Sequence, residues 1–100
     1  MKLQILQLKN KPELRDYSFT PMWMLEKHGM TVNLDNYKKI YSDDSFTSVY
    51  ERTEDILEGI FCKFQCNKPE NYKGHSLSVS DIVVLDGVNY FVDSIGFVKL

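Results

Sequence analysis

The dipeptide Asp86-Gly87 constrains the fold of this chain more than any other feature. It stands between two runs rich in β-branched and aromatic residues, Ile82–Leu85 and Val88–Val92. Aspartate and glycine tolerate the positive φ angles that both central residues of a two-residue hairpin turn adopt. The pattern therefore predicts a β-hairpin, in which the last residue of the first run lies opposite the first residue of the second.

Three further segments are predicted as strands. Residues 3–8 are short and apolar, and their alternation slips between Ile5 and Leu6, which indicates a bulge or burial on both sides. Residues 97–100 predict a short final strand after a turn at 94–96. Residues 36–41 predict a half-exposed strand, one side of which carries Tyr37, Lys39 and Tyr41.

The first predicted helix covers residues 20–29. Thr20 is expected to cap it, Pro21 to occupy its first position, and Gly29 to follow its end. A helix of about two turns has little stability of its own, so we expect the burial of Trp23 to hold it in place.

The second predicted helix begins at Thr53, whose hydroxyl is expected to cap the free amides. Its apolar residues recur every three or four positions, which is typical of a helix with one buried face. They are Ile56, Leu57, Ile60, Phe61 and Phe64. Gly59 interrupts this stripe and suggests close packing against a strand. A loop follows at 68–74.

Together these elements predict an α+β fold within a single domain spanning residues 1–100. We expect a largely antiparallel sheet with two helices on one face and a C-terminal hairpin. A small curled, barrel-like sheet is the alternative. The segment 42–45 is predicted as a turn, and residues 31–60 carry a net charge of -4. This segment is expected to form a solvated acidic face, or a surface that mimics nucleic acid or docks on a basic partner.

The cysteines give no support for a metal or redox centre. Cys62 and Cys66 are four apart, unlike a CxxC pair, and His28 and His75 supply no second closely spaced ligand pair. We expect reduced, buried or half-buried thiols and no metal ion. The five glycines are dispersed and form no phosphate-binding loop, so no cofactor is expected.

Residues 74–81 and Asp93 offer serine, histidine and aspartate, the residue types of a hydrolytic triad. His75 and Ser76 are adjacent, however, and neighbours on an extended chain point to opposite faces. The context that exposes a nucleophilic serine is also missing. We therefore expect no catalytic residue and no enzyme, with Ser78 and Ser80 pointing outward from the sheet. A small hydrolase using His75 and Ser76 is the third alternative for function.

Charge and hydropathy limit the cellular location and the classes of partner that we expect for this chain. Twelve basic and fourteen acidic residues leave a formal net charge of -2, which disfavours a general nucleic-acid binder. No apolar run approaches membrane-spanning length and no signal-peptide core is present, so we expect a cytoplasmic protein without a membrane partner. Residues 1–30 are net positive by two and carry Tyr17, Phe19 and Trp23, which makes nucleic-acid binding the second alternative. By default these aromatic residues are assigned to the core.

The paired patterns GHSLSVSDIVVL at 74–85 and YFVDSIGF at 90–97 closely resemble the YodL-like domain family. The resemblance continues upstream over nearly the whole chain, through residues 69–72, 54–56, 36–37 and 8–9. It implies a small bacterial protein, or a module of a large polyvalent protein, carried by conjugative elements and phages. It further implies a role in establishment or counter-defence in a new host, without naming a reaction. We expect an accessory module that binds a protein partner, because the net charge is negative and the acidic middle segment would repel phosphates.

The polar residues of this family pattern are the predicted binding site. They are His75, Ser76, Ser78, Ser80, Asp81, Asp93, Ser94, Gly96 and Phe97. The hairpin register places Asp81 opposite Val92 and Ser80 opposite Asp93, so we expect the Ser80 hydroxyl to bond the Asp93 carboxylate. The cluster is either a recognition surface or a motif that closes the preceding loop onto the sheet.

Overall fold

The computed structural model describes all residues 1–100 and contains one five-stranded antiparallel sheet with the strand order β2-β1-β3-β4-β5. The strands are β1 (Leu3–Leu8), β2 (Tyr37–Asp43), β3 (Ile82–Leu85), β4 (Val88–Val92) and β5 (Phe97–Lys99). The helices are α1 (Met22–Lys27) and α2 (Thr53–Cys66), with 3-10 turns at Pro12–Tyr17 and Leu34–Asn36. The predicted α+β class is confirmed. Neither helix has the length and apolar character needed to cross a membrane.

The C-terminal hairpin forms in the predicted register. Leu85 pairs with Val88, and the pairing continues outward to Ile82 and Phe91. Asp86 and Gly87 have φ angles of 48° and 83°, as a two-residue turn with two left-handed positions requires. The short strand predicted at the C-terminus is also confirmed, as β5.

The slip in the apolar pattern of β1 reflects burial on both sides: Leu3 and Ile5 belong to the larger core cluster, and Leu6 and Leu8 pack against a smaller cluster on the other face. Ile5 pairs with Tyr41 but Leu6 pairs with Lys39, so Ile40 is the extra residue on β2. A bulge therefore lies beside Ile5, but its extra residue is on β2, so it leaves the alternation of β1 intact and does not cause the slip.

This bulge makes the predicted alternation of β2 wrong. Tyr41 packs with Val83 in the larger core cluster, whereas Tyr37 packs with Ile82 in a smaller one. Val83 and Ile82 are neighbours on β3 and point to opposite faces of the sheet. The two tyrosines therefore lie on opposite faces, because the extra residue shifts the side-chain period by one. β2 also continues through Asp43, which shortens the predicted turn.

The buried stripe of α2 is confirmed, because Ile56, Leu57, Ile60 and Phe64 are all buried against the sheet. The predicted start at Thr53 is also confirmed, but the predicted capping role is wrong, because Thr53 makes no capping bond. At Gly59 a Cβ would lie 3.2 Å from the Tyr50 ring, so the glycine packs against a loop tyrosine and not against a strand.

The thiol prediction for α2 is also wrong with respect to burial. Cys62 and Cys66 are unpaired and exposed. They lie one turn apart on the face away from the buried stripe, because Cys62 is two residues, about 200° around the helix, from Ile60.

The helix α1 is anchored differently from the expectation. Thr20 does not cap it, since its hydroxyl donates to the Asp16 carbonyl at 2.8 Å. Trp23 is 57% exposed and Leu25 is the buried residue instead. Leu25 is not part of the core cluster that contains the buried stripe of α2, so of the two helices only α2 contributes to that cluster. The predicted stop is confirmed, because Gly29 has a φ of +67°.

Candidate functional site

The polar residues of the family pattern lie at the open end of the hairpin, where β3 begins and β4 ends. They form two groups instead of one. The first, which we call the Asp81 cluster, contains Asp81 and Ser78 together with Gln7, Tyr72 and His75. The second surrounds Asp93 at the start of α1.

Asp81 is almost completely buried, with 2% of its surface exposed. Its Oδ2 accepts hydrogen bonds from the Ser78 backbone amide at 2.9 Å and from Gln7 Nε2 at 3.0 Å. Its Oδ1 lies 3.9 Å from His75 Nε2. Burial raises the pKa of Asp81 to about 6, while the amide, the imidazole and the Gln7 side chain oppose that rise.

Gln7 joins the elements of this cluster. Its Nε2 donates to the His75 carbonyl at 2.9 Å as well as to Asp81, and Tyr72 Oη donates to the same carbonyl at 2.7 Å. Sequence reasoning missed Gln7, although a signal was present. Gln7 shares the β1 face of Leu3 and Ile5, so strand alternation places its amide in the interior, where it requires polar partners.

Gly74 brings the loop before β3 against the sheet. A Cβ at this position would lie 2.6 Å from Ile40 Cδ1 and closer still to Gln7 Oε1, so only glycine fits here without displacement. The preceding residue also contacts the sheet, since the Lys73 amide donates to the Ile40 carbonyl at 3.2 Å. These contacts place His75 directly above Asp81.

The structure brings His75 to a carboxylate but not to a serine hydroxyl. His75 Nδ1 lies 2.8 Å from the Ser76 carbonyl oxygen, whereas Ser76 Oγ donates to the Gln65 carbonyl at 3.4 Å. Ser78 Oγ donates to the Ser76 carbonyl at 2.7 Å. Neither hydroxyl is placed for proton transfer to the imidazole.

Ser80 differs from its predicted orientation. It is 3% exposed and has a φ of +82°, and this left-handed residue breaks the alternation that predicted an outward side chain. Its Oγ accepts from the Phe19 backbone amide at 3.0 Å. Its carbonyl accepts from the Tyr37 hydroxyl at 2.7 Å, and burial raises the pKa of Tyr37 well above its usual range.

Asp93 does not bond Ser80, contrary to the prediction. Asp93 Oδ1 instead accepts from the Met22 amide at 3.1 Å and the Ser94 amide at 2.8 Å. It therefore caps α1 from a position 71 residues further along the chain, which explains why no local cap was needed. The Asp81 carbonyl accepts from the Val92 amide at 2.9 Å, but the Ser80 amide donates to the Val92 carbonyl at 2.9 Å, so Ser80 lies beside Val92 and not opposite Asp93 as predicted.

The last predicted site residues form the turn between β4 and β5. The Asp93 amide donates to the Gly96 carbonyl at 3.0 Å, and Gly96 has a φ of +70°. Phe97 packs partly buried against the main core. Ile95, at the tip of this turn, is 93% exposed.

Ser80 and Asp93 hold the segment that carries two exposed aromatic side chains. Phe19 is 62% exposed and has a φ of +58°, and Trp23 is 57% exposed. The Phe19 ring centroid lies 5.5 Å from that of His75. Two of the three aromatic residues that sequence reasoning assigned to the core are thus exposed, on a segment held by polar residues of the family pattern.

Beside Phe19 lies an open, mainly polar cleft of about 370 Å³. Lys38 and Lys73 line it, with His75 and the edge of Asp81 at its base. Its lining can supply positive charge and hydrogen bonds next to an aromatic ring. No group of three or more histidine, cysteine or acidic side chains is arranged to hold a metal ion.

Comparison with known proteins identifies the family. Neither the curated proteins nor the solved structures contain a match to this chain. The family model described as the YodL-like domain matches residues 2–100. The chain therefore belongs to the YodL-like domain family.

Proposed function

We propose that this chain is a non-enzymatic accessory module of a bacterial mobile genetic element, a conjugative element or a phage. It acts in the bacterial cytoplasm, in establishment or counter-defence in a new host, by binding a protein partner. The mobile-element setting is what the family resemblance implies. The binding role is supported by the surface at the open end of the hairpin.

The observation that carries this proposal is the conformation of Phe19. A non-glycine residue in the left-handed region costs about 1–2 kcal/mol. Phe19 bears this cost while 62% of its surface remains exposed, so burial of the ring offsets little of it. Strain of this kind persists where the surrounding structure enforces it, and it concentrates at functional sites. Ser80 Oγ enforces it here through the Phe19 amide.

The recognition surface in this proposal consists of Phe19, Trp23 and His75. Aromatic side chains with little conformational entropy are the usual anchors of protein interfaces. The buried polar residues behind them have a positioning role: Ser80 holds Phe19, and Asp93 holds the start of α1. In this proposal the polar residues of the family pattern have both predicted roles: they close the loop onto the sheet, and they hold the recognition surface in place.

Substitution of Phe19 with glycine tests the proposal, because glycine removes the ring and also relieves the left-handed strain. We expect F19G to melt at or above the wild-type temperature and to capture at least tenfold less partner from a nuclease-treated host lysate. V49G is the matched control, since Val49 is 92% exposed in the loop between β2 and α2. Equal capture by wild type, F19G and V49G would contradict the proposed surface.

Single-stranded nucleic acid is the second candidate, and a specific observation favours it. The exposed Phe19 lines a cleft together with Lys38 and Lys73, which is the combination of a stacking group and positive charge that binds single strands. Anisotropy of a fluorescein-labelled oligonucleotide separates this candidate from the first. Binding that weakens steeply with salt and is lost in the double variant K38A/K73A would support it over a protein partner.

A further inference from the structure

The two edges of the sheet are not equivalent. β2 forms one edge and β5 the other. The outer edge of β2 is closed at its centre, where the Lys73 amide donates to the Ile40 carbonyl. Two exposed lysines, Lys38 and Lys39, also discourage pairing of this edge with another strand.

The outer edge of β5 is open. The Leu100 amide donates to the Asn89 carbonyl, and the Asp93 amide donates to the Gly96 carbonyl. Hydrogen-bonded pairs alternate along an antiparallel ladder, so Phe97 and Lys99 occupy the positions between them. Their backbone N–H and C=O groups therefore point away from β4, and nothing in the structure pairs with them.

An elongated groove runs along this open edge, between β5 and α2. It consists of two adjoining cavities of about 340 and 120 Å³ that share Glu58, Gly96 and Phe97. Leu57 and Phe61 supply apolar surface from the side of α2. The groove lies on the face where alternate side chains of an added strand would project.

One acidic side chain of the groove, Glu58, is free to bind a basic group. Asp93, Glu54 and Glu58 line the groove, but Asp93 accepts from the Met22 and Ser94 amides and Glu54 is paired with Arg52 at 2.8 Å. Glu58 has no ion-pair partner. Lys99 lies at the opposite rim. A basic side chain that enters the groove would therefore meet Glu58 beside an apolar floor.

We propose that the β5 edge receives an extended segment of a partner protein by strand addition. The segment forms backbone hydrogen bonds with Phe97 and Lys99, places an apolar side chain over Phe97, and directs a lysine or arginine to Glu58. This surface lies on the α2 side of the sheet and does not include Phe19, so the inference goes beyond the proposed function and is tested separately from it.

The test uses two nine-residue synthetic peptides, in which valine alternates either with threonine and lysine or with threonine and glutamate. We expect the lysine peptide to shift the backbone amide resonances of Phe97 and Lys99 in the full chain, and to bind at least threefold more tightly than the glutamate peptide. E58Q should remove this preference. F19G should bind the lysine peptide as wild type does, which separates failure here from failure at the Phe19 surface.

Proline substitution tests the backbone pairing directly. The outward amide of Lys99 makes no bond within the chain, and proline is tolerated at such edge positions, so K99P should keep the fold. We expect K99P to weaken peptide binding at least tenfold while K99A, which removes the same charge, retains it. Equal binding by K99P and K99A, equal shifts with the two peptides, or self-association through β5 that excludes the peptide would overturn the proposal.

Discussion

Replacement of the buried Asp81 by asparagine tests how the Asp81 cluster is held together. The folded protein raises the pKa of this carboxyl from 3.8 to about 6, chiefly because burial disfavours the charged form. A pKa that rises from 3.8 to about 6 corresponds to about 3 kcal/mol of differential stability between the protonated and ionised states. At pH 7 Asp81 is ionised, so the native state carries this cost.

The direction of the pH dependence follows from which state binds the proton more tightly. Because the pKa is higher in the folded chain than in the unfolded chain, protonation favours folding. The cost of ionised Asp81 is complete above pH 6 and disappears as the pH falls through 6 towards 4. The D81N protein has no such group and keeps an oxygen that can accept from the Ser78 amide and from Gln7. We therefore expect the free energy of unfolding of wild type, relative to D81N, to rise by about 2–3 kcal/mol between pH 7 and pH 4.

Urea unfolding of both proteins at half-unit intervals between pH 4 and pH 7 measures this difference. The subtraction cancels the titration of the other carboxyl groups, which the two proteins share. D44N is the control, since Asp44 is exposed in the turn after β2 and should show no comparable divergence. Parallel stability profiles for wild type and D81N would refute the conclusion that the ionised, buried carboxylate of Asp81 destabilises the fold.

Three further substitutions test the elements that support the site. G87V should lower the free energy of unfolding by at least about 1 kcal/mol, because a β-branched residue resists the φ of +83° at this turn, and an unchanged thermal midpoint would contradict the turn. G74A should cost about 1–3 kcal/mol in urea unfolding, because its Cβ would meet Ile40 at 2.6 Å; wild-type stability would show that the loop is not packed as described. D93A should cost about 1 kcal/mol through loss of the cap on Met22, with increased hydrogen exchange of that amide, and unaltered exchange would argue against the cap.

The sequence determined the features that depend on neighbours in the chain. The turn at Asp86-Gly87 and the register of β3 with β4 follow from two residues and a period of two. The buried stripe of α2 follows from the helical period in the same way. Burial of both faces of β1 was also visible, since apolar residues occupy both sides of this strand. In each case the conformation depends on residues close together in the sequence, so the same element forms in any tertiary structure that buries its apolar side chains.

The contacts of the candidate site, in contrast, depend on the tertiary structure. The cap of α1 comes from Asp93, and the strained position of Phe19 is held by Ser80, although these pairs are 71 and 61 residues apart. Local rules instead assigned a cap to Thr20. No local propensity encodes such pairings, because their formation depends on the order of strands in the sheet.

The same reason accounts for the exposed aromatic residues. Composition and hydropathy assigned Phe19 and Trp23 to the core, since most large aromatic side chains are buried. In the structure the larger core cluster consists of side chains from β1, β2, β3, β4, α2 and the loop before β3. Leu25 is the buried residue of α1. Which apolar residues remain outside is a property of the complete packing arrangement, so the sequence determined the elements and the tertiary structure determined the surface they present.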